Sequence, residues 1–342
     1  MRKNIVLADT ILPKKWELVE GIRSKTKEVW EVLCWDNAGL NKSKFTILKR
    51  YFGYFSHAFS VFLNRKKYKN IVSWQQFYGL IFAYYCILFR RRKENNLVIM
   101  TFIYNPKKGK IGKIYYNMVK KAIQSIYIDK IIVYSSSEVD YYSELFEVEN
   151  YKFIFFPLGI SDKKIVGDPK INLPEQPFVL SVGRSNRDYR FLLSCIKQVE
   201  YPVVILTDSI INRQDIPSNV IIYNNIRGDD YLRILSKAHL VAIALKDENI
   251  SSGQLVMLQS MLYKKPIIIT NNSTVKDYVV DGLNGKICNK NQTEFVDAIS
   301  DFMNDDILYR SIVENGEKIF RQKYSLFSLG EKVSEIINLI ME

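Results

Sequence analysis

Residues 248–270 read ENISSGQLVMLQSMLYKKPIIIT, and this stretch decides the fold. It divides into a polar loop, a helix entered through Ser251, Ser252 and Gly253, a basic turn at Lys264 and Lys265, and a buried strand over residues 266–270. Both serines suit an N-cap, and Leu255, Leu258, Met261 and Leu262 recur at the spacing of an apolar helix face, so the helix is expected to start near Ser252. At that start the backbone N–H groups of Gly253, Gln254 and Leu255 lack intrahelical acceptors, and the helix dipole concentrates positive charge there. A diphosphate suits such an end, because Gly253 has no side chain to keep an anion from the backbone. Gln259 follows Ser252 by almost two turns, on the same face at a rise of roughly 10 Å, which fits a ligand with phosphate at one end and a polyhydroxyl ring at the other.

Around this stretch, apolar runs alternate with helical segments. Residues 178–182, 203–206, 220–223, 240–245 and 266–270 are strand candidates, and continuous apolar strands separated by helices imply a parallel sheet covered on both faces. Such a sheet binds ligands beyond the C-terminal ends of its strands. The first of these runs leads directly into Gly183, Arg184, Ser185, Asn186, Arg187 and Asp188. Residues 161–177, with three of the nine prolines, read as a linker. Ahead of it, residues 4–8, 29–35, 97–104, 131–134 and 151–156 are further strand candidates, and residues 17–27 a helix. Residues 105–112 read as a basic loop. The tail carries a last helix, residues 329–341, with Val333, Ile336, Ile337 and Ile340 on one side.

The 248–270 stretch resembles the signature helix of the GT-B glycosyltransferases, in particular the family-four, or group 1, type, where a Glu-x7-Glu element precedes Pro-Val-Ile. Leu255 to Met261 and Pro266-Ile267-Ile268 follow that pattern, while Ser251 and Gln259 stand where the family has its two glutamates. In the family the first glutamate touches the donor sugar and the second holds the ribose. The resemblance implies that Gln259 bonds a diol through its neutral amide, and that the sugar contact passes to Glu248 or Asn249. Gly183-Arg184 resembles the Gly-Arg after the first strand of the donor domain, and Arg187 falls where a lysine is usual. Two guanidiniums there imply a paired grip on diphosphate oxygens; an ion pair of Arg187 with Asp188 is the alternative. Residues 223–228, YNNIRG, resemble the strand and loop lying against the base, which implies backbone contacts from Asn225 or Ile226. Residues 277–285, DYVVDGLNG, resemble the family's Glu-x-Val-x-Asp-Gly-x-Asn-Gly turn. Thr101-Phe102-Ile103 stands where the family has Thr-x-His.

The implied architecture is α/β, a GT-B fold of two Rossmann-like doubly wound domains facing across a cleft. Residues 1–163 would form an acceptor-binding domain, with 329–342 packing back on it, and residues 175–325 a nucleotide-sugar-binding domain. The implied donor site comprises Gly183, Asn225, Ile226, Asn249, Ser251, Ser252, Gly253, Gln254, Leu255 and Gln259, with Arg184, Arg187 and Glu248 in catalytic roles. On the acceptor side stand Lys14, Lys15, Asn105 and Lys107.

Composition sets the remaining bounds. A chain of 342 residues, 47% hydrophobic and 13% aromatic, has enough apolar content for two cores. Cys34, Cys86, Cys195 and Cys288 show no CxxC spacing, which fits reduced thiols in a cytoplasmic protein. No signal peptide is expected, nor any run of the eighteen or more apolar residues that a membrane span needs. There is no Asp-x-Asp and no His/Cys cluster, so no metal and no cofactor is expected apart from a UDP- or GDP-linked sugar as substrate. Residues 1–160 hold 27 Lys and Arg against 13 Asp and Glu, the rest 22 against 23. That surplus reads either as a solvated lysine-rich surface or as the footprint of an anionic partner. With no nucleic-acid-binding motif beside it, a lipid surface or lipid-linked pyrophosphate is expected before nucleic acid.

The activity expected is metal-independent and retaining transfer of a sugar from a nucleotide diphosphate to a glycan or lipid-linked acceptor. It would serve surface-polysaccharide assembly, on the inner face of the cell membrane. A GT-B scaffold without activity, acting as partner or chaperone of an active transferase, is the alternative; a GT-B epimerase would need a carboxylate and histidine apparatus that the sequence does not show.

Overall fold

The computed structural model describes residues 2–36, 44–212, 216–246 and 252–341, Lys44 by its backbone alone. The chain divides into two compact units, Met1–Pro157 with Leu326–Glu342, and Leu158–Ser325.

The first unit contains β1 (Lys3–Ala8), α1 (Glu17–Thr26), β2 (Trp30–Cys34), α2 (Lys44–Leu63), β3 (Tyr68–Ser73), α3 (Gln76–Leu88), β4 (Asn96–Ile99), α4 (Gly109–Gln124), β5 (Lys130–Val133), α5 (Ser137–Phe146) and β6 (Phe153–Phe155). Its sheet runs β2-β1-β3-β4-β5-β6, and every adjacent pair is parallel. Ile5, Leu7, Ile71, Leu97, Ile99 and Ile131 pack against Phe82, Val119 and Phe146 from the covering helices. A parallel sheet needs that cover, since its crossover helices lie on its faces. His57 on α2 is buried between the rings of Trp35 (6.1 Å) and Tyr78 (4.6 Å), and burial pulls its pKa below the usual histidine value.

The second unit contains β7 (Val179–Val182), α6 (Tyr189–Ile196), β8 (Val203–Leu206), β9 (Val220–Tyr223), α7 (Gly228–Lys237), β10 (Leu240–Ile243), α8 (Gln254–Leu262), β11 (Ile267–Thr270), β12 (Lys286–Cys288), α9 (Gln292–Asn304) and α10 (Asp306–Ile319). Its parallel sheet is ordered β12-β11-β10-β7-β8-β9. Alternate residues of the central strands feed opposite cores: Leu180, Val241 and Ile267 meet Leu258 and Met261 of α8 on one face, while Val179, Leu240 and Ile268 meet Leu192, Phe295 and Ile299 on the other.

Three sequence readings change in the structure. A strand over 97–104 is too long: β4 ends at Ile99, and Thr101 takes a left-handed backbone (φ 51°). The basic loop expected to reach residue 112 gives way at Gly109 to α4. Finally β3 falls outside every strand candidate: Ile71 and Val72 are buried there, but lysines at 66, 67 and 69 mask the pattern.

The last helix, α11 (Leu326–Met341), belongs to the first unit and crosses α1 where Gly21 faces Gly330. A Cβ on Gly330 would lie 2.2 Å from the Leu18 carbonyl oxygen, and one on Gly21 2.1 Å from that of Phe327. Both obstacles are backbone, so the helices must separate to admit even a methyl group. Gly330→Ala is expected to destabilise the first unit by roughly 3 kcal/mol, read as a lowered Tm. An unchanged melt would show that the crossing is looser than described.

Candidate functional site

In the second unit the connections from β7 run toward β8 and β9, while β10 leads the other way to β11 and β12. Between β7 and β10 the loops therefore part, and the crevice this leaves at the C-terminal strand ends is where open parallel sheets bind ligands. The loop after β7 is laced to the loop after β10. Asp188 N–H donates to the Ala244 carbonyl (2.9 Å), Lys246 N–H donates to that of Asn186 (3.2 Å), and Arg187 forms an antiparallel bridge with Leu245.

Arg187 folds back under the end of β7. Its Nε donates to the Val182 carbonyl and Nη1 to that of Ser185, each at 3.0 Å. Glycine at 183 permits this: its φ is 132°, and a Cβ there would meet the guanidinium at 2.7 Å. Burial lowers the Arg187 pKa from the ordinary guanidinium value. No carboxylate among the described residues pairs with it; Asp188 instead caps α6 and pairs with Lys290 at 2.7 Å. A desolvated cation held only by carbonyl dipoles is an anion-seeking group.

The start of α8 lies beside this cation. The N-cap is Gly253 in the left-handed region (φ 90°), and no side chain among the described residues caps the helix. A Cβ on Gly253 would lie 3.8 Å from Arg187 Nη2. The helix thus begins two residues later than its serines suggest, because Ser252 is buried and its hydroxyl accepts from Asn186 Nδ2 (3.0 Å). Leu255, expected on the apolar face, is 50% exposed; Val256, Met257, Leu258, Met261 and Leu262 form the buried face. Gln259 is half-buried, and its side-chain oxygen is out of water with no hydrogen-bond partner among the described residues.

Arg184 goes elsewhere. Exposed, it points at Asp208 after β8 (3.6 Å), and Arg227 holds the same carboxylate oxygen at 2.7 Å. Asp208 also accepts from the Asn225 N–H (2.8 Å), so that group is already engaged. Asn225 has a left-handed backbone (φ 60°), and Ile226 packs on the core beneath. The Asn225 N–H, and after it Arg227, hold the Asp208 carboxyl below its usual pKa. Gly183, Arg187, Ser252, Gly253 and Gln254 are thus gathered at one place, with Arg184 and Asn225 on its β8–β9 side. Glu248, Asn249 and Ser251 lie outside the described residues.

Sequence reasoning passed over Asp208, Arg227 and the Tyr231 hydroxyl, which is buried near Arg187 without a hydrogen-bond partner among the described residues. Position offered a signal for the first, since Asp208 lies just beyond a strand end. Of the residues expected on the acceptor side, Lys14, Lys15 and Asn105 are exposed, and Lys107 Nζ sits over the rings of Tyr51 (5.4 Å) and Tyr115 (5.0 Å). A cavity of about 800 Å³, lined in part by Phe178, His239 and Lys265, opens at the N-terminal strand ends, away from this site.

Residues 207–319, which run from the end of β8 through α10, match the family model for Glycosyl transferases group 1. No curated protein sequence matches the chain. Among solved structures, HepE from Anabaena in complex with UDP and glucose is similar over 99% of this chain and 100% of its own, at TM-score 0.67 and 13% identity. A sucrose-phosphate synthase from Thermosynechococcus elongatus is similar over 99% of both chains (TM-score 0.69, 14% identity). WaaG, a glycosyltransferase involved in lipopolysaccharide biosynthesis, is similar over 97% of this chain and 99% of its own (TM-score 0.59, 12% identity). The fold, two six-stranded parallel sheets each flanked by helices, is thus that of the GT-B glycosyltransferases. The matched segment carries α8, and the match places the chain in the glycosyltransferase class.

Because the Asp208 pKa is lowered in the folded chain, its contribution to stability is present above the ordinary carboxylate range and is lost as pH falls through the lowered value. Asp208→Asn is therefore expected to flatten the acid side of the stability profile of the second unit. An equally steep acid slope in this variant would show that the carboxylate is not held by Asn225 and Arg227.

Proposed function

We propose that the chain transfers a sugar from a UDP- or GDP-linked donor to an acceptor hydroxyl, with the diphosphate seated between Arg187 and the start of α8. One observation carries this reading: at the switch point of a parallel sheet, a partly buried guanidinium lies beside a helix N-terminus, and among the described residues the first has no carboxylate partner and the second no side-chain cap. In transfer, the bond between the anomeric carbon and the diphosphate oxygen breaks and its electron pair goes to that oxygen. The acceptor oxygen bonds to the anomeric carbon and gives up its proton. Fixed positive charge at the departing oxygen stabilises what develops there. Arg184 joins the grip by exchanging Asp208 for the diphosphate, while Arg227 remains on Asp208. The unpartnered oxygen of Gln259 accepts from a ribose hydroxyl, and Glu248 and Asn249 reach the sugar.

The reaction in this proposal is retaining and needs no metal, since guanidinium groups and the helix end supply the positive charge. The acceptor is a glycan on a lipid carrier, in surface-polysaccharide assembly on the inner face of the membrane. Lys14, Lys15, Asn105 and Lys107 lie on the acceptor side, and the basic first 160 residues meet an anionic surface. The second reading, an inactive partner of an active transferase, rests on Ser251, Gln259 and Ile103 standing where the family has two carboxylates and a histidine. Incubation with UDP- and GDP-sugars separates the two: slow donor hydrolysis is expected of an enzyme and none of a partner.

Arg187→Ala is expected to weaken UDP or GDP binding by ten- to about a hundred-fold, since a charge-assisted hydrogen bond contributes roughly 1.5–3 kcal/mol. Calorimetry reads the change, and wild-type affinity in a folded variant would refute the placement of the diphosphate. Chelation with EDTA is expected to leave turnover unchanged; activity lost to EDTA and restored by Mg²⁺ would mean that a cation does the work assigned to the arginine.

A further inference from the structure

Between Asp36 and Glu94 the chain holds twelve lysines and arginines and no carboxylate. This run contains α2, whose buried side, Tyr54, Ala58, Val61 and Phe62, packs into the core of the first unit. Its other side does not. Phe45, Leu48, Phe52, Phe55, Phe59 and Leu63 are all exposed, Phe45 by 77% and Phe52 by 70%. Steps of three and four residues put these six on one narrow strip of the helix. Taking ~200 Å² for a whole phenylalanine side chain, the strip leaves on the order of 600 Å² of apolar surface in water, at the upper limit for a single patch on a monomeric protein.

The strip continues onto α3. Phe59 meets Tyr85 (5.2 Å), Tyr85 meets Phe89 (6.5 Å), and Leu88 and Phe89 at the end of α3 are exposed. Next to these come Arg90, Arg91 and Arg92, and at the end of α2 Lys66 and Lys67; Lys49 lies on α2 one step from the strip. All six are exposed, and none has a carboxylate partner among the described residues, whereas Arg65, Lys69 and Lys93 are paired with Glu94, Glu28 and Asp129.

We infer that the exposed face of α2, extended by the end of α3, is a docking surface for an anionic lipid bilayer. The phenylalanine and leucine side chains enter the boundary between headgroups and acyl chains, and the unpaired cations meet lipid phosphates. The charge pattern selects this occupant. A helix that lies in the membrane plane buries its apolar strip to a shallow depth and gains roughly 1 kcal/mol from each nearby cation, while a second copy of the same face would set two carboxylate-free surfaces against each other. No described helix is long and apolar enough to cross a membrane, so the contact is peripheral. This deepens the membrane placement proposed above, yet does not depend on the donor chemistry.

The test is co-sedimentation of the full chain with phosphatidylcholine vesicles, with and without phosphatidylglycerol. The wild-type chain is expected to sediment with the anionic vesicles and to remain in solution with the neutral ones. The double variant Phe45→Ser, Phe52→Ser removes apolar groups that the fold does not bury, so its melt should match wild type while its partition falls about tenfold or more. The triple variant Arg90→Ala, Arg91→Ala, Arg92→Ala should lose the salt-sensitive part of binding. Undiminished partition of the folded double variant overturns the proposal. So does a wild-type dimer that this variant dissolves, without vesicle binding, since a second copy would then own the face. Thermal stabilisation by UDP and GDP, measured on the same variants, separates the two readings: its absence in every form, with vesicle binding intact, would defeat the donor assignment and leave the docking surface standing.

Discussion

The site depends on a single arginine whose charge has no carboxylate partner among the described residues. Arg187 is drawn under the end of β7 by two backbone carbonyls, in space that exists only because residue 183 has no side chain. Taking a guanidinium out of water without a carboxylate beside it costs several kcal/mol. In the proposed reading that cost is recovered when an anion arrives, the ligand supplying the other half of the ion pair. The start of α8 adds partial charges of the same sign at the same place. Sheet order explains why the two meet: β7 and β10 are neighbours in space, and the loops that follow them are hydrogen-bonded to each other.

Much of the architecture was legible because buried parallel strands announce themselves. Runs such as residues 203–206 and 267–269 are wholly apolar, and the strands that contain them are wholly buried. Where the pattern was impure, reading faltered. In β3 two buried β-branched residues follow lysines and an asparagine, and nothing local distinguishes that composition from the end of a surface helix. Thr101 shows another limit, since a left-handed backbone at a threonine leaves no trace in hydropathy.

Part of the candidate site was legible. Gly253 follows from general rules about helix ends, Gly183 and Arg187 from a resemblance at a strand end, and the structure gathers them. Exact registration was not accessible: two adjacent serines promise an N-cap, yet Ser252 is turned toward Asn186, and a glycine takes the capping position. Nor was the fate of Arg184. Its partner Asp208 comes from another strand end, and a pairing between residues separated by a helix and a strand depends on sheet order, which one sequence does not display. Tyr231 belongs to the same kind, because an unpaired hydroxyl is a property of surroundings rather than of residue type.

The crossing of α11 on α1 has a bearing on how the chain is made. The second unit is one continuous segment and holds every strand of its own sheet, so it can close as soon as Ser325 has left the ribosome. Most of the first unit is synthesised ahead of it, yet that unit cannot finish until Leu326–Met341 emerges and settles against Gly21. Meanwhile Leu18 and Ile22, both buried in the final structure, lack their opposing helix. Order of translation and order of completion are therefore reversed, and the nascent first unit must wait with an open apolar flank, exposed to chaperones or to other nascent chains.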